Sequence, residues 1–397
     1  MGHDLKVALI STEFPPFLTG GIATVCHDLA LNLSKKEICT TVFCGRSNRM
    51  TVENVNNYLK VVRLPLLDVF PRHVWFQLQN TVSLMSLLKG FDIIHNIEPR
   101  EGILAYFSRN LQTPIVTHLH GSAYGESKVF LESPISCWTP GDFVYEVFDF
   151  PIFDNLTSLC LRNSDHIIAC SNYRFDELKK RNPEIDLSKV SVIYNGIDFN
   201  RIVNGNGKDE EKESSVIFWG RLYYNKGIFQ LIEAMGIVKK VFPKVHLDVC
   251  GKGQLEAKLR SLVHKLCLDD NVTFHGYTKN EVLIEKIKSA TVVVLPSLYE
   301  GQPMAALEAM AYQKPLVMYD FPFAREYITD WYNGLIAKGG DIKDLASRIC
   351  SALSDKKLRL KLGQNAYERV RKNHNWDTLI QRYIDIYGDL TQRGACS

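Results

Sequence analysis

The stretch 291-TVVVLPSLYEGQPMAALEAM-310 contains an apolar run, a loop with Gly301 and Pro303, and the start of an apolar helix, in that order. The run is apolar at successive positions, which is typical of a parallel strand covered by helices on both faces. Pro303 is a good first helical residue, so we expect a helix from about Met304. The stretch therefore predicts one strand–loop–helix unit of an α/β fold.

The same order of apolar run and helical pattern recurs along the whole chain. Apolar strands that alternate with helices predict Rossmann-like, doubly wound parallel sheets. Ligands bind such sheets at the carboxyl ends of the strands, so we look for chemistry in the loops that follow strands. The runs are KVALI, TTVFC, FDIIHN, PIVTHLH, DHIIACS and KVSVIYN in the first half, and SVIFWG, VHLDVCG, VTFHGY, TVVVLPS and PLVMYD in the second.

The length of 397 residues exceeds what a single hydrophobic core usually serves, so two domains are expected. The segment NGIDFNRIVNGNGKDEEKESS at 195–215 is rich in Asn, Gly and charge and has no apolar periodicity. We place the domain boundary there, with a first domain at 1–200 and a second at 201–374. Two such domains facing each other would put both sets of strand ends around a central cleft.

Charge and cysteine usage exclude several classes of protein. The 47 basic and 44 acidic residues nearly cancel, which argues against a nucleic-acid binder with a broad basic surface. The ten cysteines include no C-x-x-C pair, which indicates reduced thiols. No apolar run reaches about eighteen residues, and Lys6 stands where a myristoylation signal has Ser or Thr. We expect a cytoplasmic protein, either free or peripheral at the inner membrane face.

The second domain opens with SVIFWGRLYYNKG, which sets Arg221 and Lys226 after a strand. Two cations at a strand end suit a diphosphate, because charge-assisted contacts contribute about 1.5–3 kcal/mol each. The alternative is a solvated Arg and Lys on a surface loop. A second glycine turn, CGKGQLE, includes Gly251 and lets the backbone approach a ligand. Glu256 occupies the third glycine position of the G-x-G-x-x-G fingerprint, which disfavours a dinucleotide cofactor.

Two carboxylates, Glu300 and Glu308, lie eight positions apart in the opening stretch. A helix throughout would separate them by about 12 Å, whereas the acid pair of a glycoside hydrolase is about 5–9.5 Å apart. The spacing therefore favours contacts with two parts of one long ligand. The alternative for Glu308 is a solvated helix residue.

Two further strand ends in the first domain are candidates. Gly20 and Gly21 precede a helix expected from about Ile22, whose N-terminus favours an anion; a plain tight turn is the alternative. His118 and His120 share one face at the end of PIVTHLH, and this position at a strand end favours a polar ligand contact; a structural histidine is the alternative. No third ligand at matching spacing is evident, so we expect no metal site. The aromatic stretches 64–79 and 133–153 are interpreted first as packing, with sugar stacking or membrane contact as the alternatives.

Taken in order, these residues resemble the retaining GT-B glycosyltransferases, in particular glycosyltransferase family 4. The resemblance runs nearly end to end, through FPPFLTGGIATV, HGS, CSNYRFDEL, IYNGID, GRLYYNKG, GKG, FHGYTKNEV and EGQPMAALEAM, the last with the family's E-x7-E spacing. One departure is visible: where relatives commonly have Glu-Gly-Phe-Gly, this chain has Glu-Gly-Gln-Pro at 300–303. Pro303 lacks an N–H that could face a phosphate.

The resemblance implies a GT-B fold with an acceptor-binding first domain, to which a final helix in 375–397 returns, and a donor-binding second domain. It also implies a role for each candidate residue. The expected catalytic residues are Glu300 beside the donor sugar, either as nucleophile or as a holding group, His120 at the transferred sugar, and Arg221 and Lys226 at the diphosphate. The expected donor-binding residues are Gly21, Arg221, Lys226, Gly251, Tyr277, Pro303, Met304 and Glu308, with Glu308 at the ribose and Tyr277, next to Gly276, at the base.

The implied activity is metal-independent, retaining transfer of a sugar from a nucleoside-diphosphate sugar, with UDP or GDP as the nucleotide and no tightly bound cofactor. The acceptor would be a carbohydrate, a lipid-linked sugar or a small molecule. The alternatives are a nucleotide-sugar epimerase or a sugar phosphorylase of the same fold, and a non-catalytic sugar-binding protein. The sequence leaves the donor sugar, the acceptor and the oligomeric state open.

Overall fold

The chain folds into two compact units. Unit 1 comprises Met1–Ala123, Tyr145–Gly196 and Trp376–Ser397, and unit 2 comprises Tyr124–Val144 and Ile197–Asn375. Each contains a sheet of predominantly parallel strands, so the predicted α/β class with two parallel-sheet domains is confirmed. The computed structural model describes residues 5–16, 20–47, 49–66, 72–100, 102–144, 146, 150–199, 202 and 214–394.

In the described residues, the sheet of unit 1 has eight strands in the order β3-β4-β2-β1-β5-β6-β7-β8, and β3 and β4 form the only antiparallel pair. Its central strands are buried from end to end because helices cover both faces. The strands are β1 (Lys6–Ile10), β2 (Cys39–Ser47), β3 (Thr51–Asn54), β4 (Leu59–Pro65), β5 (Ile93–Asn96), β6 (Ile115–Leu119), β7 (His166–Ala169) and β8 (Val190–Val192).

The sheet of unit 2 has six strands, all parallel, in the order β11-β10-β9-β12-β13-β14. All its carboxyl ends therefore lie at one edge, and the loops that follow them share that edge. The strands are β9 (Ser215–Trp219), β10 (His246–Cys250), β11 (Val272–Gly276), β12 (Val292–Val294), β13 (Leu316–Asp320) and β14 (Leu335–Lys338).

The helices follow the strands as the pattern predicts, and several begin at side-chain caps. Ser171, Asp341 and Asp355 each accept a hydrogen bond from a backbone N–H of the first helical turn. The α-helices are α1 (Gly21–Lys35), α2 (Arg72–Leu87), α3 (Gly102–Ser108), α4 (Ala123–Leu131), α5 (Pro140–Val144), α6 (Phe150–Arg162), α7 (Asn172–Arg181), α8 (Ile228–Val241), α9 (Glu256–Lys265), α10 (Asn280–Ser289), α11 (Met304–Ala311), α12 (Pro322–Arg325), α13 (Ile342–Ser354), α14 (Lys356–Asn373) and α15 (Trp376–Gly394).

The last helix, α15, packs into the core of unit 1. Trp376, Ile380, Tyr383 and Tyr387 recur every three or four positions and are at most 2% exposed, so they form one apolar stripe. This stripe belongs to the same hydrophobic cluster as residues of β1, β2, β5 and α1. The segment that is last in sequence thus completes the core of the unit that is first. No helix in the described part of the chain is long and apolar enough to span a membrane.

Residues 124–144 lie in unit 2, although the sequence had placed them inside the first domain. The reason is a set of contacts with distant parts of unit 2. Gly125 packs so closely on the ring of Tyr299 that a Cβ there would lie 2.2 Å from it. Thr139 Oγ1 donates to Gln254 Oε1 at 2.6 Å, and Lys258 Nζ donates to the Trp138 carbonyl at 2.6 Å. The aromatic stretch 133–153 is mixed where the structure describes it: Phe153 is buried, whereas Ile135, Phe143 and Ile152 are exposed. Residues 145 and 147–149 of this stretch lie outside the described residues.

Candidate active site

The loops after β9, β10 and β11 are joined by backbone hydrogen bonds at the carboxyl edge of the unit 2 sheet. Gly220 N donates to Cys250 O at 3.0 Å, and Gly251 N donates to Gly276 O at 2.8 Å. Gly251 has a φ of +149°, and a Cβ on it would lie 1.8 Å from the Gly220 carbonyl. Only glycine fits there, so this predicted turn residue has a steric reason for its identity.

A second pair of loops brings Lys226 and Glu300 together. Lys226 Nζ donates to Glu300 Oε1 at 2.5 Å, and the two side chains are only 16% and 18% exposed. Ser297 Oγ donates to the same carboxylate oxygen at 3.0 Å. The backbones meet as well, because Leu298 N donates to Asn225 O at 2.7 Å. The predicted diphosphate cation and the predicted sugar-side carboxylate thus form one ion pair across 74 residues of sequence.

Glu308 lies on α11, where Trp219 holds it. Trp219 is the last residue of β9 and is 7% exposed, and its Nε1 donates to Glu308 Oε2 at 3.0 Å. The carboxylate is therefore oriented from the strand end next to its helix and is not simply a solvated helix residue. The helix begins at Met304, as predicted. Because Glu300 lies in the loop before it, the distance of about 12 Å expected for a continuous helix does not apply.

Pro303 is not the first helical residue that the sequence predicted. It lies at the N-cap, with φ −79° and ψ 87°, and its carbonyl accepts from Ala306 N at 2.9 Å. The first amides of α11 have no acceptor within the helix, which makes its tip attractive to an anion. Met304, the first helical residue, is partly exposed at this tip.

Arg221 is the most open of the predicted donor-binding cations. Its side chain is 53% exposed, lies 5.1 Å over the ring of Tyr223 and reaches 4.0 Å from Glu126. A guanidinium held this loosely can turn toward a ligand at little cost. Tyr277, the predicted base contact, follows Gly276 and is 68% exposed. No direct contact joins Arg221 or Tyr277 to the Lys226–Glu300 pair among the described residues.

The predicted residues of unit 1 lie at two strand-to-helix connections. Gly21 is the first residue of α1, one position earlier than predicted, and it is exposed. His120 directly follows β6 and is 6% exposed, and its ring stacks on His118 with centroids 3.9 Å apart. Burial, and then the charge of Arg174, lowers the pKa of His120 to about 3. His120 is therefore a neutral imidazole near pH 7 and can exchange hydrogen bonds with a hydroxyl.

The sequence did not single out Trp219, Ser297 or the cluster around Asp248. Asp248, in β10, pairs with His275 and lies 3.2 Å from Lys286 Nζ. Burial raises the pKa of Asp248, but hydrogen bonds from His275 and Lys286 outweigh it and lower the pKa overall. A polar residue inside an otherwise apolar strand, as in HLDVC, was the available signal. Among the described residues, no group of three or more His, Cys, Asp or Glu side chains could hold a metal ion.

Comparison with known proteins gives two family models that match consecutive parts of the chain. The model described as Glycosyltransferase Family 4 matches residues 19–201, and the model described as Glycosyl transferases group 1 matches residues 199–369. An uncharacterized glycosyltransferase of Methanocaldococcus jannaschii is 24% identical over 96% of this chain and 98% of its own length.

Solved structures match over nearly the full length. Sucrose-phosphate synthase from Thermosynechococcus elongatus has a TM-score of 0.80 at 22% identity, covering 98% of this chain and 100% of its own. Anabaena HepE in complex with UDP and glucose has a TM-score of 0.73 at 18% identity, covering 97% and 99%. At these identities the likeness to solved structures shows the fold.

Proposed function

The chain belongs to the GT-B glycosyltransferases of family 4 type, and on that premise we propose that it is a retaining enzyme. It would transfer a sugar from a nucleoside-diphosphate sugar to a carbohydrate, lipid-linked or small-molecule acceptor, without a catalytic metal. The observation that carries this proposal is the Lys226–Glu300 ion pair at the carboxyl edge of the unit 2 sheet. Glu300 lies four residues before Met304, the first residue of α11.

The chemistry follows from where negative charge develops. Breaking the bond between sugar and nucleotide leaves charge on the departing diphosphate, and only groups that bind it better than the intact donor accelerate the step. The guanidinium of Arg221, the ammonium of Lys226 and the first amides of α11 are positive groups suited to that task. Together these three groups would supply the stabilisation that a metal ion provides in other transferases, and we therefore propose metal-independent transfer.

We assign the remaining donor contacts by the same reasoning. Glu308, oriented by Trp219, would accept hydrogen bonds from the ribose hydroxyls. Gly251 would bring backbone close to the nucleotide, and the exposed Tyr277 would stack on the base. We propose a UDP-sugar as donor, because the structure of the fold neighbour HepE contains UDP and glucose. Preferential binding of a GDP-sugar would show that this choice of nucleotide is wrong.

In unit 1 we propose that the first amide groups of α1, including that of Gly21, face a phosphate, and that His120 contacts the transferred sugar. Both residues follow strands of a parallel sheet at the edge where ligands bind. A neutral, buried imidazole can donate or accept a hydrogen bond at a sugar hydroxyl without introducing charge. Glu300 would lie beside the sugar, as nucleophile or as a holding group.

The test is a thermal-shift screen of UDP, GDP and their sugars. Binding to the folded state alone contributes about 2.7 kcal/mol at a ligand concentration of 100 Kd, which raises Tm by a few degrees. We expect UDP to stabilise the protein, with the shift reduced in Arg221→Ala and Glu308→Ala. Arg371→Ala and Glu285→Ala, both at exposed helical positions, are matched controls that keep the full shift.

Activity assays on the sugar nucleotides that bind in this screen separate the alternatives. Conversion of the donor sugar to its epimer, or turnover only with inorganic phosphate, would replace the transferase proposal by an epimerase or a phosphorylase. Absence of stabilisation by any nucleotide would favour a non-catalytic sugar-binding protein. A nucleotide shift that survives Arg221→Ala and Glu308→Ala unchanged would contradict our site assignment while leaving the family membership intact.

We also propose a cytoplasmic enzyme that contacts the membrane surface through α2 and α3. Trp75, Leu78 and Val82 are 36%, 58% and 85% exposed on one side of α2, and Tyr106 and Phe107 of α3 are 55% and 44% exposed. The sequence of α2 contains no Asp or Glu. An apolar helix face without acidic residues suits the interface of an anionic bilayer. Of the stretch 64–79, Leu64 and Phe76 are buried and Trp75 and Leu78 are exposed, while residues 67–71 lie outside the described part of the chain.

Cosedimentation with phosphatidylglycerol-containing vesicles tests the membrane contact. We expect Leu78→Asp to weaken binding, whereas Leu360→Asp in unit 2, at a position that is similarly exposed (63%), does not. Equal loss in both variants, or no binding of the unaltered protein, would contradict this contact.

A further inference from the structure

Three histidines form a stack inside unit 1 that ends at His120. His95 of β5 is in register with Val116 of β6, and His118 is two positions further along β6. Side chains two apart in a strand share a face, which places His95, His118 and His120 on the same side of the sheet. The ring centroids of His95 and His118 are 5.7 Å apart, and those of His118 and His120 are 3.9 Å apart.

The far end of this stack is held by the last helix, α15. Tyr387 Oη and His95 Nδ1 are 2.6 Å apart, which is a short hydrogen bond across 292 residues of sequence. The ring of Tyr383, one turn earlier, lies 6.2 Å from His95 and 6.0 Å from His118, between the helix and the stack. A continuous line of rings therefore connects a hydroxyl on α15 to the imidazole at the end of β6.

Packing alone does not account for these residues. His95 and His118 are fully buried, and His118 has no hydrogen-bond partner for either ring nitrogen among the described residues. Buried polar atoms without partners are costly, and a leucine or phenylalanine would fill the same space without that cost. Burial also lowers the pKa of His95 to about 3, so the stack consists of neutral rings at pH 7. Polar groups buried at such a cost call for an explanation, and a role in function supplies one.

We infer that His118 and His95 are positioning residues for His120, and that the Tyr387 hydroxyl fixes the distal end of the stack. This inference rests on the proposed role of His120 at the transferred sugar. His118 contacts His120 face to face and limits the rotation of its ring. His95 supports His118, and its own orientation is set by the hydrogen bond to Tyr387. A catalytic group that is misplaced by about 1 Å can lose up to 100-fold in rate, so such support matters.

The two tyrosines of α15 provide a matched pair of variants. Tyr387→Phe removes the hydroxyl that bonds His95, whereas Tyr383→Phe removes a hydroxyl with no partner among the described residues. We measure kcat as hydrolysis of the sugar nucleotide that gives the largest thermal shift in the screen above, and we expect Tyr387→Phe to lower it about 3-fold. Its KM for that donor stays within about 2-fold, and Tyr383→Phe matches the unaltered enzyme.

His118 is tested by the shape of its replacement. His118→Leu removes the flat ring and is expected to lower kcat about 10-fold or more, while His118→Phe restores most of the rate. In a His120→Ala background neither His118→Leu nor Tyr387→Phe has a further effect, because both act through His120. A readout independent of activity is the imidazole ¹⁵N spectrum of the full chain. The signals of the His120 ring are those that vanish in His120→Ala. We expect Tyr387→Phe to shift these signals and Tyr383→Phe to leave them in place.

The outcomes distinguish this inference from the proposed function. If His120→Ala lowers kcat, and His118→Leu and Tyr387→Phe each lower it further by their full effect in that background, the positioning role is wrong and the role of His120 stands. If Tyr383→Phe is as harmful as Tyr387→Phe, the effect is one of helix packing and positioning is again wrong. If His120→Ala leaves kcat unchanged, the role of His120 in the proposed function fails, and the inference fails with it.

Discussion

Glu300→Gln is expected to tighten the binding of UDP while abolishing most turnover. In the structure the Glu300 carboxylate forms an ion pair with the Lys226 ammonium at 2.5 Å, so a diphosphate must compete with the carboxylate for this cation. A charge-assisted hydrogen bond contributes about 1.5–3 kcal/mol when desolvated, and partial exposure of this pair reduces that to about 1 kcal/mol. Removing the competitor should therefore lower the Kd for UDP about 5-fold.

Isothermal titration of UDP into the unaltered protein and three variants measures this effect. Glu285→Gln makes the same chemical change at an exposed position of α10 and should leave the Kd unchanged. Lys226→Met should weaken binding, because it removes the cation itself. The competition is refuted if Lys226→Met binds UDP more weakly but the Kd of Glu300→Gln is equal to or higher than that of the unaltered protein. Unchanged binding in Lys226→Met would remove Lys226 from the nucleotide site.

Two further predictions concern stability. Gly227→Ala should lower the urea midpoint by an amount equivalent to about 2 kcal/mol or more, since Gly227 has a φ of +69° and an added Cβ would lie 1.9 Å from the Pro296 carbonyl. The control, Gly236→Ala in α8, where the nearest atom is 3.9 Å away, should stabilise by up to about 1 kcal/mol; equal loss in both would contradict the steric argument. Burial lowers the pKa values of His95 and His120 to about 3 in the folded protein, whereas both histidines have a pKa near 6.5 in the unfolded chain. Below pH 6.5 the unfolded chain therefore binds more protons than the folded one. Stability should be full above that pH and fall by about 1.4 kcal/mol per pH unit for each histidine as the pH decreases toward 3; a urea midpoint that stays constant from pH 7.5 to pH 5 would count against neutral burial.

Local pattern predicted the fold class well because the periodicity of apolar residues acts over a few positions. The strand before Ser297 and the start of α11 at Met304 follow directly from such patterns. The shared face of His118 and His120 follows in the same way, from the two-residue period of a strand. Pro303 was placed one residue too far into the helix, since a proline is compatible with either position at a helix start.

Contacts between distant parts of the chain were beyond that reasoning. The pairs Trp219–Glu308 and Lys226–Glu300 join residues 89 and 74 positions apart, and they exist because neighbouring strands in the sheet are not neighbours in sequence. The same limit hid the attachment of 124–144 to unit 2, which depends on side chains such as Gln254. The sequence predicted which polar residues lie at strand ends. It could not predict which of them pair, because the pairing depends on the order of the strands in the sheet.

The burial of α15 in unit 1 has a consequence for biosynthesis. The strands of that unit are complete at residue 192, yet Tyr383 and Tyr387 leave the ribosome only after all of unit 2 has been made. At about 5–20 residues per second, the apolar surface that they cover stays open for roughly 10–40 seconds. A nascent chain in that interval would be a client for chaperones, and a premature stop before residue 376 would leave the surface open permanently.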